Sequence, residues 1–157
     1  IKPKDLQLVL EARSEQRGAF PSKLASPAES RVPMHASARG PAFYVLYGSN
    51  MGTCQDLAQA IARQATAHGF APVLADLDSL ASRAALAPLL AVPLVIVSST
   101  YNGTPPDNAQ KFAALLADPT LPGDALKGIQ YAVLGCGNKQ WRTTFQKFPT
   151  FLQTRMQ

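Results

Sequence analysis

Cysteine and histidine are scarce in this chain: Cys54, Cys136, His35 and His68 are all there is among 157 residues. Two lone thiols make no disulfide scaffold and fit a reducing compartment. No histidine lies near either cysteine in the sequence, so a Cys–His nucleophilic pair has no support. Cys136 therefore reads as a small packing residue. Long apolar runs are missing too. The richest stretch, LAPLLAVPLVIV at 86–97, is broken by Pro88 and Pro93 and is too short to cross a bilayer. The first residues hold no basic segment leading into an apolar one, which argues against a secretory signal. A cytoplasmic protein without a membrane partner is expected. Clusters of one charge are also lacking. The net charge is +5, yet residues 42–157 carry eight Lys/Arg against six Asp/Glu, with no basic stripe interleaved with aromatics. A solvated surface accounts for this, and no nucleic-acid partner is expected.

What is present falls into two kinds of sequence. From Ala12 to about Pro41 the chain is rich in Ser, Ala, Pro, Arg and Gly and shows no sustained period, the composition of a linker. Ahead of it, in IKPKDLQLVLEAR, Leu6, Leu8 and Leu10 alternate with Gln7, Val9 and Glu11, a short strand pattern. Such a strand either pairs with an edge of the domain downstream or ends a different domain; the second is the preferred expectation. From Ala42 onward, apolar runs at 42–47, 70–78, 93–99 and 128–135 read as strands. Helical segments lie between them. Thr53 is expected to cap the first, with Leu57, Ile61 and Ala65 on one face and Gly69 closing it. Residues 80–91 form a short second helix. Asp107 and Gln110 resemble a capping box for a third, with Phe112, Leu115 and Leu116 inward and Asp118-Pro119 ending it. A fourth begins near Thr143, with Phe145, Phe148 and Phe151 spaced by three. This alternation predicts a doubly wound parallel α/β sheet with helices on both faces.

In such sheets, ligands bind where the strands end at their carboxyl side. That rule selects three loops. Gly48–Thr53 joins a strand to a helix through two glycines, with Ser49, Asn50 and Thr53 able to donate hydrogen bonds. Its amides and the helix dipole suit an anion. No lysine follows the second glycine, which disfavours a magnesium-bound triphosphate, and no G-x-G-x-x-G pattern is present. A single terminal phosphate fits best; a plain tight turn is the alternative. The second loop carries Tyr101, Asn102 and Gly103 ahead of Pro105-Pro106, and its tyrosine either offers a flat face to an aromatic ligand or packs at the sheet edge. The third, GCGNKQWRTT, sets the lone Trp141 among polar residues, behind two glycines that let backbone approach a ligand. A phosphate cradle and two aromatics on one sheet edge match the parts of flavin mononucleotide (FMN).

The runs YGSNMGT, TYNGTPPDNAQKF and GCGNKQWRTTFQKFP resemble the flavodoxin-like FMN domain of diflavin reductases. They are most similar to the reductase half of bacterial self-sufficient fatty-acid monooxygenases, in which a haem-thiolate (cytochrome P-450 type) domain shares the chain. The likeness covers about Ala42 to Met156. It implies phosphate binding by Ser49, Asn50, Met51, Gly52 and Thr53, with Cys54 counted in the same site, where small residues are common. It implies a flavin ring bounded by Tyr101, Asn102, Gly103 and Thr104 on one side, and by Cys136, Gly137, Asn138, Lys139, Trp141 and Thr144 on the other. Electron relay is implied, from an FAD domain reduced by NADPH to the haem, with no catalytic side chain and no metal ligand in this segment. Residues 1–13 are expected to be the terminal strand of the haem domain, 14–41 the linker, and 42–157 the FMN domain. The family's fifth strand and last helix are expected to be missing, leaving the fourth strand with an open edge. A free-standing flavodoxin and a flavin-free module of the same fold are the competing expectations.

Overall fold

The computed structural model describes residues 6–9 and 40–157. Four parallel strands form the sheet: β2 (Ala42–Gly48), β3 (Ala71–Asp76), β4 (Leu94–Ser99) and β5 (Tyr131–Cys136), in the order β3-β2-β4-β5. A short strand β1 (Leu6–Val9) lies antiparallel along β5, Leu6 opposite Cys136 and Val9 opposite Val133. The sheet order steps outward from β2 in both directions, so the connections fall on opposite faces, as the alternation predicted.

In the structure β1 lies against the downstream strands, on the outer edge of β5. The edge expected to be unpaired is occupied, because the outer N–H and C=O groups of β5 offer a hydrogen-bonding row that a short alternating strand can fill. Residues 1–5 and 10–39, which include all but the last two residues of the expected linker, lie outside the described residues.

Helix α1 (Thr53–Ala67) buries Cys54 and Ala58 against one sheet face, in a cluster with Val45, Val97, Leu134 and Cys136. The other face carries the larger cluster. There Leu46, Leu94, Ile96 and Val133 meet Leu86 and Leu89 of α2 (Arg83–Leu89), Phe112 and Leu116 of α3 (Gln110–Ala117), and Phe148, Leu152 and Met156 of α4 (Lys147–Met156). Burying a Leu or Phe side chain contributes about 1.5–3 kcal/mol, so these contacts fix the helices that frame the loops.

Three local expectations are corrected. Thr53 does not cap α1: the N-cap is Gly52, at φ 86 in left-handed backbone, with no side-chain cap bond. A β-branched residue is disfavoured there, whereas glycine carries the turn without strain. Asp107 and Gln110 bond side chain to side chain (3.2 Å), and a 3-10 turn at Asp107–Ala109 leads into α3 in place of a capping box. The last helix starts only at Lys147. Phe148, Leu152 and Met156 are buried four apart, with Pro149 buried beside Phe148, Phe151 stacked on Phe148 at 6.0 Å and Phe145 ahead of the helix. Pro149 sits in the first turn, where its missing N–H has no partner to lose.

Candidate functional site

The carboxyl ends of β2, β4 and β5 form a row of small residues, Gly48 opposite Ser98 and Ser98 opposite Gly135. The buried Ser98 hydroxyl donates to the Gly48 carbonyl at 3.3 Å. A Cβ on Gly48 would stand 2.6 Å from Ser98 Oγ and 3.1 Å from Ala109 Cβ. This crowding is what brings the three following loops close together.

Beyond Gly48, Ser49–Gly52 turns into α1. Since Gly52 supplies no cap, the first amides of α1 lack a side-chain partner and open onto the loop with the positive end of the helix dipole. Met51 and Thr53 are exposed, and Ser49, Asn50 and Gly52 are half-buried. Two reciprocal bonds tie this loop to the next. The Ser49 amide donates to Asn108 Oδ1 (2.8 Å), and the Asp107 amide donates to Asn50 Oδ1 (3.0 Å). Asn50 thus spends its carbonyl oxygen on positioning the second loop.

The second loop is a tight turn. Tyr101 and Thr104 exchange backbone bonds of 3.0 and 2.9 Å across Asn102 (φ 49) and Gly103 (φ 82), both in left-handed backbone. Asn-Gly with two positive φ values is the pair that a two-residue type I′ turn demands. The Thr104 hydroxyl donates to the Tyr101 carbonyl at 2.8 Å. Tyr101 is held with 43% of its surface in water. Gly103 abuts the third loop: a Cβ there would lie 3.3 Å from Thr144 Cγ2.

In the third loop Asn138 organises the backbone, its Oδ1 accepting from the Gln140 amide (2.9 Å) and its carbonyl from the Trp141 amide (3.0 Å). The Trp141 carbonyl then accepts from the Thr144 and Phe145 amides, at 3.0 and 2.8 Å. Trp141 is left 70% exposed; Gly137, Asn138 and Lys139 are exposed as well, and Thr144 is half-buried. Gln146, at φ 57, donates from Nε2 to the Gly135 carbonyl at 2.8 Å, and the Phe148 amide donates to Thr100 Oγ1 at 2.9 Å, which fastens the loop to β4 and β5.

The sixteen residues singled out in the sequence therefore separate into two groups. Ser49 to Thr53, Tyr101 to Thr104, Gly137, Asn138, Lys139, Trp141 and Thr144 lie on three loops joined at one sheet edge. Cys54 and Cys136 have their side chains in the core behind those loops, 1% and 8% exposed, and can meet a ligand only through backbone. Hydrogen bonds from Cys136, Ser99 and Ser49 hold the Cys54 thiol below its usual value, with burial opposing, while Cys136 is pushed up by donating to Cys54 and by burial. Asn108, Ser98 and Thr100 are the positioning residues that sequence patterns missed; a polar side chain bonded to backbone some 50 positions away leaves no periodic trace.

Among the described residues no helix is long and apolar enough to cross a membrane, and no group of three or more His, Cys, Asp or Glu could hold a metal ion.

Comparison with known proteins supplies the remaining observations. The family model described as Flavodoxin matches residues 45–157. The bifunctional cytochrome P450/NADPH–P450 reductase ascE of Acremonium egyptiacum is 40% identical over 113 residues, 72% of this chain and 10% of that protein. Bifunctional cytochrome P450/NADPH–P450 reductase 2 of Bacillus subtilis is 34% identical over 166 aligned positions, 99% of this chain and 14% of that protein. The chain thus spans about a tenth to a seventh of the curated relatives it matches. Oxidised flavodoxin 2 from Bacillus cereus superposes with a TM-score of 0.57 at 23% identity, over 73% of each chain. A short-chain flavodoxin associated with a non-canonical PDU bacterial microcompartment gives 0.58 at 19% identity, over 74% of each. At those identities the structural likeness concerns the fold.

Proposed function

The chain belongs to the flavodoxin family, and on that premise we propose that it is the FMN-binding electron-transfer module of an NADPH-dependent oxidoreductase. In this reading it relays electrons from an FAD/NADPH reductase domain to a haem-thiolate monooxygenase domain of the same polypeptide. Two relatives that match it along most of its length carry both P450 and NADPH–P450 reductase in their names, which favours a fused module over a free-standing carrier. The match to the Bacillus subtilis protein covers 99% of this chain. It supports residues 1–13 as the counterpart of the end of the haem domain, 14–41 as the inter-domain linker, and 42–157 as the FMN domain.

The observation that carries the proposal is the uncapped start of α1, opening on a loop that contains no lysine or arginine and is bonded to the loop bearing Tyr101. The residues fit the group. Ser49, Thr53 and the first amides of α1 offer donors for a phosphomonoester, with Asn50, Met51 and Gly52 shaping the turn. Tyr101 and Trp141 offer exposed aromatic faces for a planar ring, and aromatic contacts of this kind contribute about 0.5–1.5 kcal/mol beyond area burial. The backbone of Asn102 to Thr104 and of Cys136 to Lys139, with Thr144, lines the ring's edges. When bound, FMN supplies reversible one- and two-electron redox chemistry. The chain's own part is to grip, to orient, and to leave part of the ring side open to a partner domain. No general acid or base is needed for that, and none is proposed.

Fluorescence titration tests this directly. Free FMN is fluorescent, and stacking against Tyr101 or Trp141 is expected to quench it with saturation at micromolar protein or below. Unquenched fluorescence across that range would overturn the assignment.

A further inference from the structure

Met51 stands with 80% of its surface in water, more than any other large apolar side chain among the described residues. It lies in the turn from β2 to α1, directly ahead of the N-cap Gly52. Of the other methionines, Met156 is 2% exposed in the core, and Met34 lies outside the described residues. A thioether so placed is open to small oxidants, and nothing in electron relay requires its sulfur. The turn gives that sulfur a particular neighbour. The first intrahelical bond of α1 runs from the Asp56 amide to the Gly52 carbonyl at 2.9 Å. The amides of Thr53, Cys54 and Gln55 precede it, and Gly52 has no side chain to cap them. Nothing lies within 4 Å of where a Gly52 Cβ would be, so the space beside the turn is open.

We propose that Met51 is a peroxide-oxidised methionine whose sulfoxide caps α1 from within the loop and competes for the amides that hold the phosphate. The competition rests on the flavin reading above; the cap does not. A lone pair on the Met51 sulfur attacks one oxygen of hydrogen peroxide. The S–O bond forms as the O–O bond breaks, leaving a hydroxyl on a positive sulfur and a free hydroxide. The hydroxide takes the hydroxyl proton and departs as water. The thioether loses two electrons, and one peroxide yields one sulfoxide oxygen and one water.

A thioether is a weak hydrogen-bond acceptor, whereas a sulfoxide oxygen is a polar one on the same flexible, unbranched side chain. That oxygen does for α1 what a Ser or Asp at the N-cap does in other helices. A cap of ordinary strength favours the capped state by a factor of about five. FMN therefore binds about fivefold more weakly after oxidation, while the protein free of FMN melts about 2–4 °C higher. Simple damage to the turn lowers both quantities, so the opposite signs are the signature of the cap.

The full chain is treated with a small excess of hydrogen peroxide, digested and mapped by mass. One added oxygen is expected on Met51 well before any on Met156, and methionine sulfoxide reductases of both stereospecificities should remove it. Oxidised protein is melted without FMN and titrated with FMN by fluorescence quenching. Weaker quenching together with a raised melting temperature is expected, both reversed by the reductases. Met51→Leu should keep one affinity and one melting temperature before and after peroxide. Met51→Gln, whose carboxamide oxygen imitates the sulfoxide, should bind FMN about fivefold more weakly than Met51→Leu. Oxidation of Met156 as fast as Met51, a lowered melting temperature, or peroxide sensitivity retained in Met51→Leu would each overturn the proposal. A raised melting temperature with unchanged FMN affinity refutes the competition and supports the cap alone. Untreated protein that never quenches FMN refutes the flavin assignment, and the melting shift still decides the cap.

Discussion

Gly48→Ala isolates the crowding that brings the three loops together. The added methyl carbon would meet Ser98 Oγ at 2.6 Å, Ala109 Cβ at 3.1 Å and Leu77 Cδ1 at 3.2 Å. The first distance is shorter than a real Cβ contact tolerates, and each neighbour is fully buried. Ser98 lies on a central strand between two paired neighbours, so it cannot step aside without disturbing the ladder. Overpacking of this sort costs about 1–3 kcal/mol. At about 2–4 °C per kcal/mol for a chain of this size, the melting temperature should fall by about 2–12 °C. Ser98→Ala alone should cost no more than about 1 kcal/mol, since its 3.3 Å bond to Gly48 is long. Removing that hydroxyl clears the closest contact, so the double substitution should be more stable than the sum of the singles by about 1 kcal/mol. Thermal unfolding followed by circular dichroism on the four proteins measures this coupling. Additive losses, or a Gly48→Ala protein that melts with the wild type, would refute the packing argument. Because Ser49 follows Gly48 directly, the same substitution is expected to weaken FMN binding.

Trp141→Ala should weaken FMN binding by about tenfold while moving the melting temperature little, because the side chain is 70% exposed; unchanged flavin quenching would remove Trp141 from the site. Asn108→Ala removes the acceptor for the Ser49 amide and should cost about 1 kcal/mol of stability together with a several-fold loss of FMN affinity, read by melting and titration in parallel. Asp118 is held below the usual carboxylate range by hydrogen bonds from the Thr120 side chain and backbone, with Arg83 adding to them. A carboxylate with its folded value depressed contributes stability above its unfolded value and loses it as pH falls through the folded one. Asp118→Asn should therefore flatten part of the acid-side decline in melting temperature below the ordinary carboxylate range, and an unaltered pH profile would contradict that.

The alternation of strands and helices was legible because it rests on local chemistry. Runs such as AFYVLY and LVIV are apolar on both sides because helices cover both faces, and Gly69 and Asp118-Pro119 end their helices through backbone preferences that need no partner. The three loops were legible for the same reason: Gly-Ser-Asn-Met-Gly-Thr, Tyr-Asn-Gly-Thr and Gly-Cys-Gly-Asn carry turn residues whose conformations are nearly dictated by composition. Helix starts were less so. Thr53 resembles a cap, but Gly52 takes that position because the entry to α1 needs a positive φ. The Phe145, Phe148, Phe151 spacing suggested one helix face, yet Gln146 turns left-handed to reach the Gly135 carbonyl and delays the helix to Lys147. The edge taken by β1, the Asn50 and Asn108 exchange, and the contact of Cys54 with Cys136 were settled only by the fold. Each joins residues dozens of positions apart, and the free energy that decides such pairings comes from burial and hydrogen bonds available only once the sheet has assembled. Local pattern thus determined what each segment of this chain is, and tertiary packing decided what each segment touches.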